Sequence, residues 1–141
     1  MRGPMSEALS KTLPPRSKAH EGMRVLIADD NRDNVLMLGI LLRSEGYEVR
    51  LAHSGQEAIA EATEFRPHIA LLDLQMPDCT GFQVAEHLSR QYDGQWPVLI
   101  AVTASSDLAD KQKAELSGFH QFISKPYKHQ ALLALLNALR Q

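Results

Sequence analysis

The stretch His68–Gly81, "HIALLDLQMPDCTG", runs from a continuous apolar segment into a carboxylate at Asp73 and then into a turn. An apolar run such as residues 69–72 is typical of a strand that is buried on both faces of a parallel sheet. An ionised carboxylate is costly to bury unless a partner compensates its charge. Asp73 is therefore either a local cap or turn residue, or a group placed at a strand end for chemistry.

Similar apolar runs alternate with helical patterns along residues 23–141, and Ser54 is the predicted N-cap of the second helix. This alternation favours right-handed crossovers and helices on both faces of one sheet. We expect an α/β fold of the (βα)5 type: a doubly wound, parallel five-stranded sheet with the flavodoxin-like order 2-1-3-4-5. The predicted strands are Met23–Ala28, Tyr47–Leu51, His68–Leu72, Val98–Val102 and His120–Ser124, and two of the helices cover about 81–92 and 107–117.

Composition narrows the function classes. The 141 residues are 44% hydrophobic and 23% charged with a formal net charge of −2, so a nucleic-acid-binding surface is unsupported. No apolar run is long enough to span a membrane and no signal-peptide pattern is present, so a soluble, cytoplasmic protein is expected. Residues 1–22, rich in proline and basic side chains, predict a flexible tail or linker before one compact domain at 23–141.

Polar groups follow four of the five predicted strands. Asp29 and Asp30 come after the first, Asp73 after the third, Thr103 after the fourth and Lys125 after the fifth. In the predicted strand order these ends lie along one edge, where ligands bind in open parallel sheets. Each residue alone has a local interpretation as a cap, a turn residue or a solvated charge. Their coincidence favours a site, and three clustered carboxylates favour a hard cation such as Mg²⁺.

Four motifs, "LIADDN", "LLDLQMPDCTG", "IAVTAS" and "ISKPY", closely resemble the receiver domain of two-component response regulators. The resemblance covers about residues 23–141. It implies that Asp73 accepts a phosphoryl group from a kinase phosphohistidine. It also implies that Asp29 and Asp30 hold Mg²⁺, with the main-chain carbonyl of Gln75 as a further ligand.

The same resemblance assigns the remaining site residues. It implies that the Thr103 hydroxyl and the Lys125 ammonium contact the phosphoryl oxygens, and that Pro126 is a cis proline. Phe122 matches the family's switch aromatic, although a buried core phenylalanine fits the sequence equally well. Phosphorylation is then expected to draw Thr103 inward and to alter the face formed by the fourth helix, fifth strand and fifth helix, roughly residues 107–140.

The expected partners are a sensor histidine kinase or a histidine phosphotransfer protein, an unknown downstream protein, and a second copy of the chain in a phosphorylation-dependent homodimer. We expect a free-standing phosphoacceptor domain rather than an enzyme; the receiver of a hybrid histidine kinase is the alternative within this class. From another class, a Mg²⁺-dependent phosphatase with an aspartyl nucleophile uses similar groups. Such enzymes place a second acid two residues after the nucleophile, where this chain has Gln75.

Overall fold

Five strands and five helices alternate along residues 22–76, 78–91, 97–104 and 108–139, which this computed structural model describes. All the predicted elements are present, and the strand bounds differ from the predicted ones by at most one residue. Residues 1–21 of the predicted tail lie outside the described residues, and only Gly22 of it is described. Tyr92 and Asp107, which stand at two predicted helix ends, also lie outside the described residues. The strands are β1 (Arg24–Ala28), β2 (Glu48–Ala52), β3 (Ile69–Asp73), β4 (Val98–Thr103) and β5 (Gln121–Ser124), and the helices are α1 (Arg32–Ser44), α2 (Gly55–Phe65), α3 (Gly81–Gln91), α4 (Leu108–Ser117) and α5 (His129–Leu139).

The strands form one parallel sheet in the order β2-β1-β3-β4-β5, which confirms the predicted topology. The register pairs Ala28 with Leu72, and Asp73 with Val102. Because all strands run the same way, the carboxyl ends of β1, β3, β4 and β5 meet along one edge. Groups that follow these strands are therefore neighbours in space, as expected at the switch point of such a sheet.

The central strands are buried on both faces, which explains their continuous apolar pattern. In β1, Val25 and Ile27 belong to an apolar cluster that also contains the inward residues of α1 and α5. Leu26 and Ala28 belong to a second cluster, which contains those of α2, α3 and α4. Each fully buried leucine in these clusters contributes roughly 2 kcal/mol relative to an exposed one. Packing on both sides thus holds the charged edge of the sheet in place.

The helix ends show why the elements stop where they do. The Ser54 side chain accepts a hydrogen bond from the Glu57 N–H at 3.1 Å, so the predicted N-cap of α2 is confirmed. After α1 the chain turns at Gly46, whose φ of +95° lies in the left-handed region that glycine adopts without a Cβ clash. Within the described residues, every helix is too short or too polar to cross a membrane.

Candidate functional site

Three aspartates meet at the carboxyl edge of the sheet. Asp29 and Asp30 directly follow β1, and Asp73 is the last residue of β3. One carboxylate oxygen of each lies within 4.8 Å of one from each of the other two. Asp29 and Asp73 are only 4% and 7% exposed, whereas Asp30 is exposed to solvent. The fold therefore brings together carboxylates that are more than forty residues apart in the chain.

Lys125 lies between the two buried carboxylates. Its Nζ donates to Oδ2 of Asp29 at 3.1 Å and to Oδ2 of Asp73 at 3.0 Å. Its backbone N–H donates to the carbonyl of Thr103 at 2.7 Å, which fixes the lysine against the end of β4. The interpretation of Lys125 as a merely solvated charge is wrong, because its ammonium pairs with both acids.

Each buried carboxylate also closes a local turn with its other oxygen. Oδ1 of Asp29 accepts the Asn31 N–H at 3.0 Å, and Oδ1 of Asp73 accepts the Gln75 N–H at 3.0 Å. These contacts are Asx turns, so the interpretation of Asp29 and Asp73 as turn residues is correct for one oxygen of each. The turns orient the carboxylates so that the second oxygen faces Lys125.

Asn34 is a supporting residue that the sequence analysis did not single out. Its Nδ2 donates to Oδ2 of Asp29 at 3.2 Å, and it lines a second cavity together with Lys125 and Tyr127. A signal was available in "DDNRDN", because Asn34 falls on the first turn of the helix that follows Asp29. Asn34 thus supports the carboxylate of Asp29 from the start of α1.

The surroundings shift the pKa values of the two buried acids in opposite directions. Burial raises the pKa of Asp73, helped by the charge of Asp29 and opposed by hydrogen bonds from Gln75 and Lys125. Burial also disfavours ionised Asp29, but hydrogen bonds from the Asn31 N–H and Lys125 outweigh it and leave the pKa of Asp29 lowered. Burial disfavours the charged ammonium as well, yet hydrogen bonds to Asp73 and Asp29 leave the pKa of Lys125 raised. The site thus holds a protonated lysine between two acids of unequal strength.

An open cavity of about 520 Å³ adjoins this cluster. Thr103, which ends β4 and is buried, is one of its lining residues. The structure therefore places Thr103 and Gln75 at the same cavity as two of the three acids, Asp30 and Asp73. The lining residues are Asp30, Asp73, Gln75, Thr103, Ala104 and Lys125.

Two further predicted residues, Phe122 and Pro126, are not among the residues that line this cavity. Phe122 is in β5, is half-buried, and packs against the apolar cluster beneath α2, α3 and α4. The peptide bond between Lys125 and Pro126 is cis.

The oxygen atoms of the aspartate cluster suit a hard divalent cation. Asp29, Asp30 and Asp73 with one ammonium leave two net negative charges at the edge of the sheet. Mg²⁺ uses one or two carboxylates and keeps several waters, and the exposed side of Asp30 leaves room for them. The donor set therefore fits Mg²⁺, with these three acids as the residues that would hold it.

Comparison with known proteins finds one matching family model and several relatives. The family model described as "Response regulator receiver domain" matches residues 25–137. The chain is 32% identical over 127 residues to the transcriptional regulatory protein TrcR of Mycobacterium tuberculosis, covering 89% of this chain and 49% of that one. It is 29% identical over 116 residues to protein PilH of Pseudomonas aeruginosa, covering 82% and 96%. It is 32% identical over 124 residues to the signal transduction histidine-protein kinase BarA of Escherichia coli, covering 88% and 14%. The chain thus spans most of one relative, about half of another and a small part of the third.

Solved structures share the architecture. A CheY-like response regulator receiver domain protein from Methanospirillum hungatei superposes with a TM-score of 0.77 at 28% identity, covering 82% of this chain and 91% of that one. The chemotaxis protein CheY4 of Vibrio cholerae gives 0.77 at 29% identity, covering 82% and 96%.

Proposed function

This chain belongs to the response regulator receiver domain family of two-component phosphorelay signalling, and from this premise we propose that Asp73 is its phosphoacceptor. The observation that carries the proposal is the placement of the Asp73 carboxylate. It stands at the end of a buried strand, 3.0 Å from the Lys125 ammonium and beside Asp29 and Asp30. Rigid support from the strand and charge from the lysine are what a covalent phosphoryl acceptor requires.

The proposed step is a transfer from a phosphohistidine. An oxygen of Asp73 forms a bond to phosphorus while the bond from phosphorus to the imidazole nitrogen breaks, and the electron pair of that bond stays on the nitrogen. The second ring nitrogen of the phosphohistidine carries a proton in this step, so the products are an aspartyl phosphate and a neutral imidazole. Such a transfer depends on in-line positioning and on neutralising oxygen charge more than on proton transfer.

The residues around Asp73 provide the hydrogen bonds and the positive charge that this transfer requires. Lys125 changes partner from the carboxylates to the phosphoryl oxygens, and Thr103 donates its hydroxyl from the cavity wall. Asp29, Asp30, Asp73 and the main-chain carbonyl of Gln75 would hold Mg²⁺, which would supply positive charge to neutralise the phosphoryl oxygens. The protein then works as a stoichiometric phosphoacceptor rather than as a turnover enzyme.

The proposed donor is a sensor histidine kinase or a histidine phosphotransfer protein. One candidate is a receiver that acts by itself, because the match to PilH extends over 96% of that protein. A relay receiver within a hybrid kinase is the second candidate, because the chain is also 32% identical to a segment of BarA. A nucleic-acid partner is not proposed, because the net charge of −2 gives no electrostatic support for one.

The proposed output is a change in the face formed by α4, β5 and α5. Movement of Thr103 towards the phosphoryl group alters the packing behind it, and Phe122, already half-buried, turns further inward. In α4, Ala114 and Ser117 are buried whereas Leu116 is 89% exposed. This face would bind a downstream protein or a second copy of the chain, more tightly after phosphorylation.

Intact-mass spectrometry with acetyl phosphate and Mg²⁺ tests the assignment of Asp73. Wild type should gain the mass of one phosphoryl group, and Asp73→Asn should gain none. Asp33→Asn is the matched control, because Asp33 is an exposed aspartate on α1 outside the cluster, and it should behave as wild type. Labelling of Asp73→Asn at Asp30 or at a histidine would show that the phosphoacceptor is another residue. Continuous release of phosphate from a phosphomonoester would instead favour the phosphatase.

A further inference from the structure

One carboxylate ties the loop after β3 to the start of a helix that is distant in sequence. Oδ1 of Asp78 accepts the Gly55 N–H at 2.8 Å, and Oδ2 accepts the Gln56 N–H at 2.8 Å. These residues open α2, whereas Asp78 lies in the segment between Asp73 and α3. Both oxygens of a single side chain thus bridge two parts of the chain.

Helix α2 already has a cap of its own. The Ser54 side chain accepts the Glu57 N–H at 3.1 Å, and its carbonyl accepts the Ala58 N–H at 3.0 Å. The Gly55 and Gln56 N–H groups are the two that Ser54 leaves for another acceptor, and Asp78 is that acceptor. The hydrogen bonds from Gln56 and Gly55 lower the pKa of Asp78, as expected for a carboxylate at a helix N-terminus.

A close backbone approach accompanies these hydrogen bonds. A Cβ on Gly55 would lie 2.0 Å from Sγ of Cys79 and 2.8 Å from the Cys79 carbonyl oxygen. No side chain fits there without displacing the loop. The loop therefore lies directly against the first residue of α2, and Gly55 permits the contact.

The same loop is hydrogen-bonded at its start to Asp73 and at its end to the neighbouring residue Leu74. The Gln75 N–H donates to Oδ1 of Asp73 at 3.0 Å, and the Gly81 N–H donates to the Leu74 carbonyl at 3.1 Å. A Cβ on Gly81 would lie 2.4 Å from the backbone carbonyl oxygen of Asp73. The loop is thus fixed at both ends by Asp73 and its neighbour, and its outer part is held by Asp78.

From this arrangement we infer that Asp78 is a positioning residue for the phosphoacceptor site. By holding the loop against α2, it keeps the main chain of Gln75 and the carboxylate of Asp73 in the arrangement that binds the metal and accepts the phosphoryl group. The inference rests on the proposed function, since it concerns the same site. Residues that orient metal ligands from outside typically change metal affinity by about 10- to 100-fold when they are removed.

The competing explanation is that Asp78 only stabilises α2. Ser54→Ala is the matched control, because it removes a cap from the same helix turn and leaves both hydrogen bonds to Asp78 in place. Asp78→Ala and Ser54→Ala should lower the urea midpoint by similar amounts. Only Asp78→Ala should also weaken Mg²⁺ binding, by about ten-fold in a calorimetric titration, and slow phosphorylation by acetyl phosphate.

Asp78→Asn gives a graded check and a fallback if the alanine variant does not fold. It keeps one oxygen acceptor for the two N–H groups, so its Mg²⁺ affinity should lie between those of wild type and Asp78→Ala. Equal Mg²⁺ affinities and phosphorylation rates in the Asp78 variants and Ser54→Ala, with wild type phosphorylated normally, would overturn the inference alone. If the wild-type chain neither binds Mg²⁺ nor gains a phosphoryl group, the proposed function fails and the inference fails with it.

Discussion

Replacing Lys125 by methionine tests the electrostatic account of the site. Methionine keeps an unbranched apolar stem but removes the ammonium that pairs with Asp29 and Asp73. Two unit charges 4.8 Å apart, the upper limit of the carboxylate separation, repel by about 3.5 kcal/mol at an effective dielectric constant of about 20. We therefore expect Lys125→Met to lower the free energy of unfolding by about 3 kcal/mol at pH 7.5 without divalent cations, within the range for breaking one side of a buried ion pair.

The loss should depend on pH in a defined direction. In the variant, repulsion between Asp29 and Asp73 raises the pKa of one of them in the folded state above its unfolded value. At pH values between the unfolded-state pKa and the folded-state pKa of this acid, the folded variant binds more protons than its unfolded chain. The stability of the variant relative to wild type therefore falls as pH rises. The deficit should therefore be complete at pH 7.5 and should shrink towards pH 4.5, as one acid takes up a proton.

Urea unfolding of both proteins at the two pH values, with EDTA and then with excess Mg²⁺, measures this effect. Mg²⁺ should restore part of the lost stability at pH 7.5, because a cation again separates the acids. Lys128→Met is the matched control, because Lys128 is exposed, and it should change stability by less than about 0.5 kcal/mol. A Lys125→Met deficit as small as that of the control, or one that does not shrink at low pH, would refute the electrostatic account.

Three further predictions concern the metal, the turn and the output face. Asp30→Ala should weaken Mg²⁺ binding and slow phosphorylation together while leaving the urea midpoint nearly unchanged, because Asp30 is exposed; unaltered affinity would exclude it as a ligand. Gly81→Ala should destabilise the fold by about 1–3 kcal/mol, because its Cβ meets the Asp73 carbonyl, as urea unfolding would show. Gly39→Ala, whose Cβ would come nearest to the flexible Leu51 side chain at 3.0 Å, should cost less, and equal losses would contradict the steric explanation. Beryllofluoride with Mg²⁺ should change hydrogen exchange within residues 108–139; changes confined to the loops around the acids would indicate a phosphate relay or sink rather than a switch.

Much of the fold could be predicted from sequence because the relevant signals are local. Strands buried on both faces must be continuously apolar, and helices that cover a sheet must repeat apolar residues at helical spacing. Both patterns are visible in the linear sequence, so the sequence predicts every element and gives the strand bounds to within one residue. The parallel topology then required the groups after β1, β3, β4 and β5 to share one edge, and Asp29, Asp73 and Lys125 do meet there.

The residues at the strand ends can be identified from the linear sequence, because a change from apolar to polar marks each end. Which oxygen of Asp73 closes its turn and which faces Lys125 depends on the folded arrangement of β3 and the segment after β5. Only the tertiary structure also showed that Asp78 caps α2, because a carboxylate in a turn has no local feature that identifies an acceptor role 22 residues away. The tertiary structure alone also shows that Gly81 meets a backbone constraint, because a Cβ there would lie 2.4 Å from the Asp73 carbonyl oxygen. The physical reason is common to all three: distances between remote segments depend on how the whole core packs, whereas sequence patterns record only the burial and backbone preference of each segment.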